Sequence, residues 1–371
     1  MKSLLRLLLK THHQRNRSGS AQTEKGMTLV ELLVGSIMAF LIITPMLGFV
    51  VDMLNTDRRE QVKTNTEQDI QAAVDFIAQD LSQAIYIYDN RALNGPRGLN
   101  EQEVSPQLPP ANGIPILVFW KREQLRNSLP INRNVALTIK PRDCNDNPGN
   151  CNDTYVLSLV AYYQIRDNDA TWCQPAGVNC PTRIVRYEIR DGIDRVIDPS
   201  VPGGVTPYGA NTTPAQRTDP AFNTSTDNEP ATSFSLNNPT VNVTHLDGLR
   251  NPQSGARNPQ VLVNYIDHST LTVPTPTGQE CQAVLGFVPP AVAPAGRPAF
   301  VPDNLLITDR SGNSAHSFYA CVDTSRNIAR VTIRGNSLRR LQPNNADYAP
   351  NKSAYFPTAT VQVKGLGARG Q

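Results

Sequence analysis

Glu31 is the only charged residue in a 24-residue run from Thr28 to Val51. A carboxylate inside an apolar segment costs roughly 2.5 kcal/mol or more on membrane-insertion scales, so its presence there points to a function. It stands near the start of the run, where the positive end of a helix dipole offsets part of that cost. A cut after Gly26 would expose an α-amino group at Met27, one helical turn from Glu31, and that cation is its natural partner. An uncut signal anchor whose edge glutamate reaches up to the headgroups is the simpler alternative.

The second reactive set is thiol. Cys144, Cys151, Cys173, Cys180, Cys281 and Cys321 all lie downstream of the apolar run. An even number confined to the segment beyond a membrane anchor suits disulfide formation in an oxidising space. Sequence leaves the connectivity open. The expected pairs are Cys144–Cys151 and Cys173–Cys180, each closing a turn-rich insert (NDNPGN and QPAGVN), with Cys281–Cys321 by elimination. A four-thiolate zinc site built from the two local pairs is the alternative to disulfides there.

Other groups carry less. His12, His13, His245, His268 and His316 have no zinc-binding spacing. Asp143, Asn145, Asp146, Asn147, Asn152 and Asp153 form an oxygen-rich stretch of the kind calcium favours. Pro148 stands where an EF-hand needs glycine, however, and a solvated turn is the expected state. Gly365, Gly367 and Gly370 match a dinucleotide fingerprint only in spacing, since no helix follows them to receive phosphates, and they read as a flexible tail. No nucleophile elbow, phosphate loop or acid–base pair emerges. The chain reads as non-enzymatic, with no cofactor and no metal.

The elements that must position these groups begin with the apolar run itself. As a helix rising about 1.5 Å per residue it spans about 36 Å, enough for a hydrocarbon core of about 30 Å. It is too long for the apolar core of a secretory signal, and the residues from Asp52 to Arg59 offer no small-residue cleavage site. Lys2, Arg6, Lys10, Arg15, Arg17 and Lys25 precede it against Glu24 alone, a bias that keeps this end in the cytoplasm. Without residues 1–26 the formal charge of +3 becomes 29 basic against 31 acidic residues, or −2, so the remainder has no basic excess to attract nucleic acid.

Lys25-Gly26-Met27-Thr28-Leu29-Val30-Glu31-Leu32-Leu33-Val34 resembles the type IV prepilin signature: a basic leader ending in glycine, an apolar first mature residue and a glutamate at the fifth. The resemblance implies that a membrane-embedded prepilin peptidase cuts between Gly26 and Met27 from the cytoplasmic side and methylates Met27. It also implies that Glu31 assists packing into a helical filament. Methionine replaces the usual phenylalanine at the first mature position, and the helix proline, Pro45, falls slightly early.

From Asp52 the pattern becomes amphipathic. Ile70, Val74, Ile77, Leu81, Ile85 and Tyr88 recur on one helical face, predicting a spine helix over residues 52–90 whose stripe packs on a sheet. Residues 67–84, with their Asp80-Leu81-x-x-Ala84 ending, resemble the spine of large minor subunits, the W type of type IV pili and the J type of type II secretion. Size, Asn/Pro-rich insertions and the Met27 start look most like the pseudopilins of cyanobacterial hormogonium polysaccharide secretion.

Alternating or compact apolar runs predict strands at Ile114–Trp120, Tyr155–Ile165, Val185–Ile189, Val261–Ile266, Leu305–Thr308, Phe318–Val322, Ala329–Arg334 and Thr358–Lys364. Residues of about 198–260, rich in Pro, Asn, Thr and Ser, read as an extended insertion. The expected architecture is α+β and pilin-like: leader 1–26, transmembrane and assembly helix 27–51, spine helix 52–90, and an exported β-rich domain 91–371. The expected function is that of a minor pseudopilin, a structural subunit of a pilus-like or secretion filament serving polysaccharide secretion and gliding motility. Its implied partners are the prepilin peptidase, other pilins and the assembly platform of the inner membrane, with the C-terminal domain periplasmic or filament-borne at the cell surface. A membrane-anchored binding or adhesin domain that never polymerises is the reading from another class.

Overall fold

The computed structural model describes residues 26–94, 108, 113–130, 151–176, 180–190, 195–197, 205–207, 260–269, 275–289, 300–309 and 316–367. The chain divides into two units, Met1–Arg58 and Arg59–Gln371.

In the first unit every described side chain is exposed, and the residues from Leu29 onward are helical. They belong to α1 (Leu29–Ser82), which continues through Pro45. Its N-terminal part is long and apolar enough to cross a membrane. Residues 1–25 of the expected leader lie outside the described residues.

The second unit is α+β. A five-stranded antiparallel sheet runs in the order β1 (Ala84–Ile87), β2 (Gly113–Pro130), β3 (Cys151–Ile165), β4 (Thr182–Arg190) and β7 (Gln260–Ile266). A four-stranded antiparallel sheet runs β11 (Thr358–Lys364), β10 (Ile328–Arg334), β9 (Phe318–Asp323), β8 (Leu306–Thr308). A small ribbon pairs β5 (Arg195–Ile197) with β6 (Val205–Pro207), and this strand pair is all that is described between residues 191 and 259. Short helices α2 (Asn90–Asn94), α3 (Gly278–Leu285) and α4 (Leu338–Leu341) complete it. Every strand anticipated from alternation is present.

The apolar stripe of α1 closes this core. Ile70, Val74, Ile77 and Leu81 are buried in one cluster with Phe119, Val160 and Ile184 of the first sheet and Val331 and Ile333 of the second. Each such side chain contributes roughly 1.5–3 kcal/mol by leaving water.

The spine helix is shorter than its periodicity predicts. It stops at Ser82, whose hydroxyl bonds the Gln79 carbonyl at 2.7 Å, and Ala84–Ile87 forms strand β1 instead. Ile85, Tyr86 and Ile87 are β-branched or aromatic and meet the open edge of β2, with Tyr86 opposite Trp120 and Ile87 opposite Phe119. Tyr88 is buried as expected, but its backbone N–H bonds Val118 and its hydroxyl accepts from the Trp120 indole at 2.9 Å. Sheet pairing won over helical spacing.

The glycine tail is also corrected. After β11, Gly365 N–H bonds the Asn327 carbonyl and Gly367 N–H bonds the Ala84 carbonyl, so the chain folds over the edge of β1. A Cβ at Gly365 would lie 2.3 Å from the Ala84 oxygen, and one at Gly367 2.0 Å from the Ile85 oxygen. Only glycine permits that approach. Covering the edge removes a row of backbone groups open to pairing with another strand.

Candidate functional site

Two arrangements on α1 hold the residues of interest. At its start, the Thr28 carbonyl accepts the first helical bond, from Leu32 N–H at 3.1 Å, which makes Thr28 the N-cap. Its side-chain oxygen accepts from Glu31 N–H at 3.3 Å and donates to the Glu31 carboxylate at 3.5 Å. Thr28-x-x-Glu31 is the pattern of a capping box, a local task for Glu31 that its residue types and spacing display. A complete box of the same form, Thr277 with Glu280, starts α3. Met27 and the apolar residues after it, Leu29, Phe40 and Phe49 among them, are exposed.

At the other end of α1 lies a charged cluster that sequence reasoning missed. Asp80 projects from the helix onto the face of the first sheet shared by Lys121, Tyr162, Arg186 and Glu188. Its Oδ2 accepts from the Tyr162 hydroxyl at 2.6 Å and from Arg186 Nε at 2.7 Å, and its Oδ1 from Lys121 Nζ at 3.1 Å. Arg186 Nη1 and Lys121 Nζ reach the two oxygens of Glu188 at 2.8 and 2.9 Å. The side chains of all four charged residues are about nine-tenths buried or more. Two carboxylates thus meet two cations with no net charge.

The electrostatics follow from that packing. Burial opposes ionisation of Glu188, but Lys121 and Arg186 outweigh it and hold the carboxyl down at about 2. Burial likewise opposes the charge of Arg186, and Asp80 more than restores it, raising its affinity for the proton. Burial, then the charge of Asp80, pushes the Tyr162 hydroxyl well above its ordinary value, so it stays a donor. The cluster is an ion-paired lock between helix and sheet, without a free nucleophile or an acid–base pair. Leu81 and Ala84, its neighbours in the Asp-Leu-x-x-Ala pattern, are buried beside it.

Disulfides join Cys173 to Cys180 and Cys281 to Cys321, the latter tying α3 to β9. Cys144 lies outside the described residues, and with it the expected Cys144–Cys151 bond. Asp143, Asn145, Asp146 and Asn147 lie outside them too, while Asn152 and Asp153 are in β3. His12, His13 and His245 are likewise outside, while His268 is buried after β7 and His316 stands against Thr308 of β8. Among the described residues no group of three or more His, Cys, Asp or Glu is placed to hold a metal ion.

Comparison with known proteins adds no relative: no family model, no curated protein and no solved structure matches the chain.

Proposed function

We propose that the protein is a minor pseudopilin of the type IV pilus and type II secretion kind, a structural subunit whose apolar helix serves first as membrane anchor and then as packing surface in a filament. The observation that carries this reading is the contrast within α1. Residues 27–51 are apolar and exposed on all faces, with Glu31 at the start, while the later stripe is buried under two sheets. A helix apolar all round needs a surrounding of lipid or other helices. Cleavage after Gly26 places a new amine beside the Thr28–Glu31 cap, and that cation and the Glu31 carboxylate attract each other within or between subunits.

The basic residues before Gly26 favour a cytoplasmic start, and the two disulfides favour an oxidising space for the domain. The reading extends to a short filament serving polysaccharide secretion and gliding, with the domain contacting other subunits or cargo. Coexpression with a prepilin peptidase tests it. Mass spectrometry is expected to find a chain beginning at N-methylated Met27. A chain left uncut, or cut elsewhere, would support an anchored domain that does not polymerise.

A further inference from the structure

The two sheets meet at a seam. The end of β7 bridges the end of β10 through Ile266 and Gly335, with Asp267 N–H bonding the Arg334 carbonyl at 3.0 Å and Asn336 N–H bonding the Tyr265 carbonyl at 2.8 Å. The backbone there is strained. Tyr265 has φ 59° and His316 has φ 45°, in the left-handed region that bulky side chains avoid. Side chains hold the seam closed. Arg334 Nε pairs with Asp267 at 2.8 Å, Asn336 Nδ2 donates to the Ala346 carbonyl at 2.7 Å, and Ser269 Oγ accepts from Tyr348 N–H at 2.6 Å.

His268 sits inside this network. It is 4 % exposed, its Nδ1 has no hydrogen-bond partner, and its Nε2 faces the Asp347 carboxylate at 3.6 Å. A buried ring with an unpaired nitrogen is poorly accommodated, yet it is next to an acid that is itself 59 % exposed and so open to water. The charged groups around it are mixed. Asp267 comes from the end of β7, Arg166 from the end of β3, Arg339 from α4 and Asp347 from the turn after α4.

We propose that His268 is an acid-operated latch: neutral, it closes the seam between the sheets, and protonated, it leaves its buried place for water, so that residues 264–269 and 335–349 separate. Two observations of different kinds support it, the strained and side-chain-held backbone and the buried ring whose Nδ1 has no hydrogen-bond partner. Burial lowers the proton affinity of His268, Asp267 and Asp347 offset part of this, and Arg166 and Arg339 add to it. The opened or unfolded chain therefore takes up the proton first. The stability that the neutral ring preserves is complete above about pH 6.5 and is lost as pH falls from there toward the lower folded value. His316 also flanks the seam, against Thr308 at 3.0 Å, and serves as the control.

The test is hydrogen exchange on the full chain in detergent micelles between about pH 7.5 and about pH 5, corrected for intrinsic exchange, over the range where histidine changes charge. Peptides covering 262–269 and 335–349 are expected to exchange roughly tenfold faster at the acid end, and peptides of β2 and β3 to stay unchanged. His268→Gln is expected to abolish the difference, and His316→Gln to keep it. Asp347→Asn, which removes an attraction that holds the protonated ring in the closed seam, is expected to enlarge the acid response, and it gives an answer even if His268→Gln does not fold. An unaltered acid response in His268→Gln, an acid response in Asp347→Asn no larger than the parent's, or no acid response in the parent protein would each overturn the proposal.

Discussion

Between residues 29 and 51 α1 carries apolar side chains on every face, all exposed, whereas between residues 70 and 81 it buries one stripe, Ile70, Val74, Ile77 and Leu81, under the protein's own sheets. The two stretches use similar residues, and the distribution around the axis tells them apart. A stripe has a partner on one side, and here that partner is within the same chain. An all-round apolar surface has no single partner face, and by length and composition this one suits a membrane-spanning helix. The carboxylates differ in the same way. Among the described residues Glu31 bonds only its own cap, Thr28, while Asp80 is held by three side chains from three strands.

Breaking the buried half should cost most. Asp80→Ala strands Arg186 and Lys121 beside one remaining carboxylate, and the expected loss is about 3–5 kcal/mol by urea unfolding of the detergent-solubilised protein. A change below about 1 kcal/mol would mean that the cluster is solvated and not a lock. Ile77→Ala, fully buried in the stripe, should lose about 2–5 kcal/mol in the same assay.

Acid probes the lock without mutation. Glu188 holds its proton less tightly folded than unfolded, so its contribution is complete above about pH 4.3 and is lost as pH falls toward 2. The thermal midpoint should fall across that window, and Glu188→Gln should flatten the fall. An equal fall in the variant would assign the acid sensitivity elsewhere. This window lies below that expected for His268, so the seam should loosen before the lock.

Smaller effects sharpen the boundaries. Gly367→Val should cost about 1–3 kcal/mol by forcing the tail from the edge of β1. Persistence of the parent melting temperature would show that the tail moves without penalty. Glu31→Ala, by contrast, should leave the melting of the β-rich domain and membrane insertion unchanged while reducing incorporation into filaments, read by shearing and immunoblotting. Normal incorporation would remove Glu31 from assembly.

Much of the fold could be read directly because its signals are local. Alternation in Tyr155–Ile165 or Thr358–Lys364 needs only a window of a few residues, and so does the 24-residue apolar run. The end of the helix was not legible, because Ile85 and Tyr88 satisfy a helical stripe and a strand equally well. The open edge of β2 decided between them. Likewise Gly365 and Gly367 look like a loose tail until the backbone of β1 lies against them.

By itself the sequence determined an apolar helix with one acid at its start, an amphipathic continuation and a disulfide-bearing β-rich domain, since hydropathy, period and cysteine placement are properties of neighbouring residues. Tertiary structure alone decided the partners of Asp80, which come from positions 41, 82 and 106 residues away, and the enclosure of His268 at the seam. Charge pairing and burial depend on which strands become neighbours. That is settled by sheet register and by the packing of the helix across it, and no local window contains either.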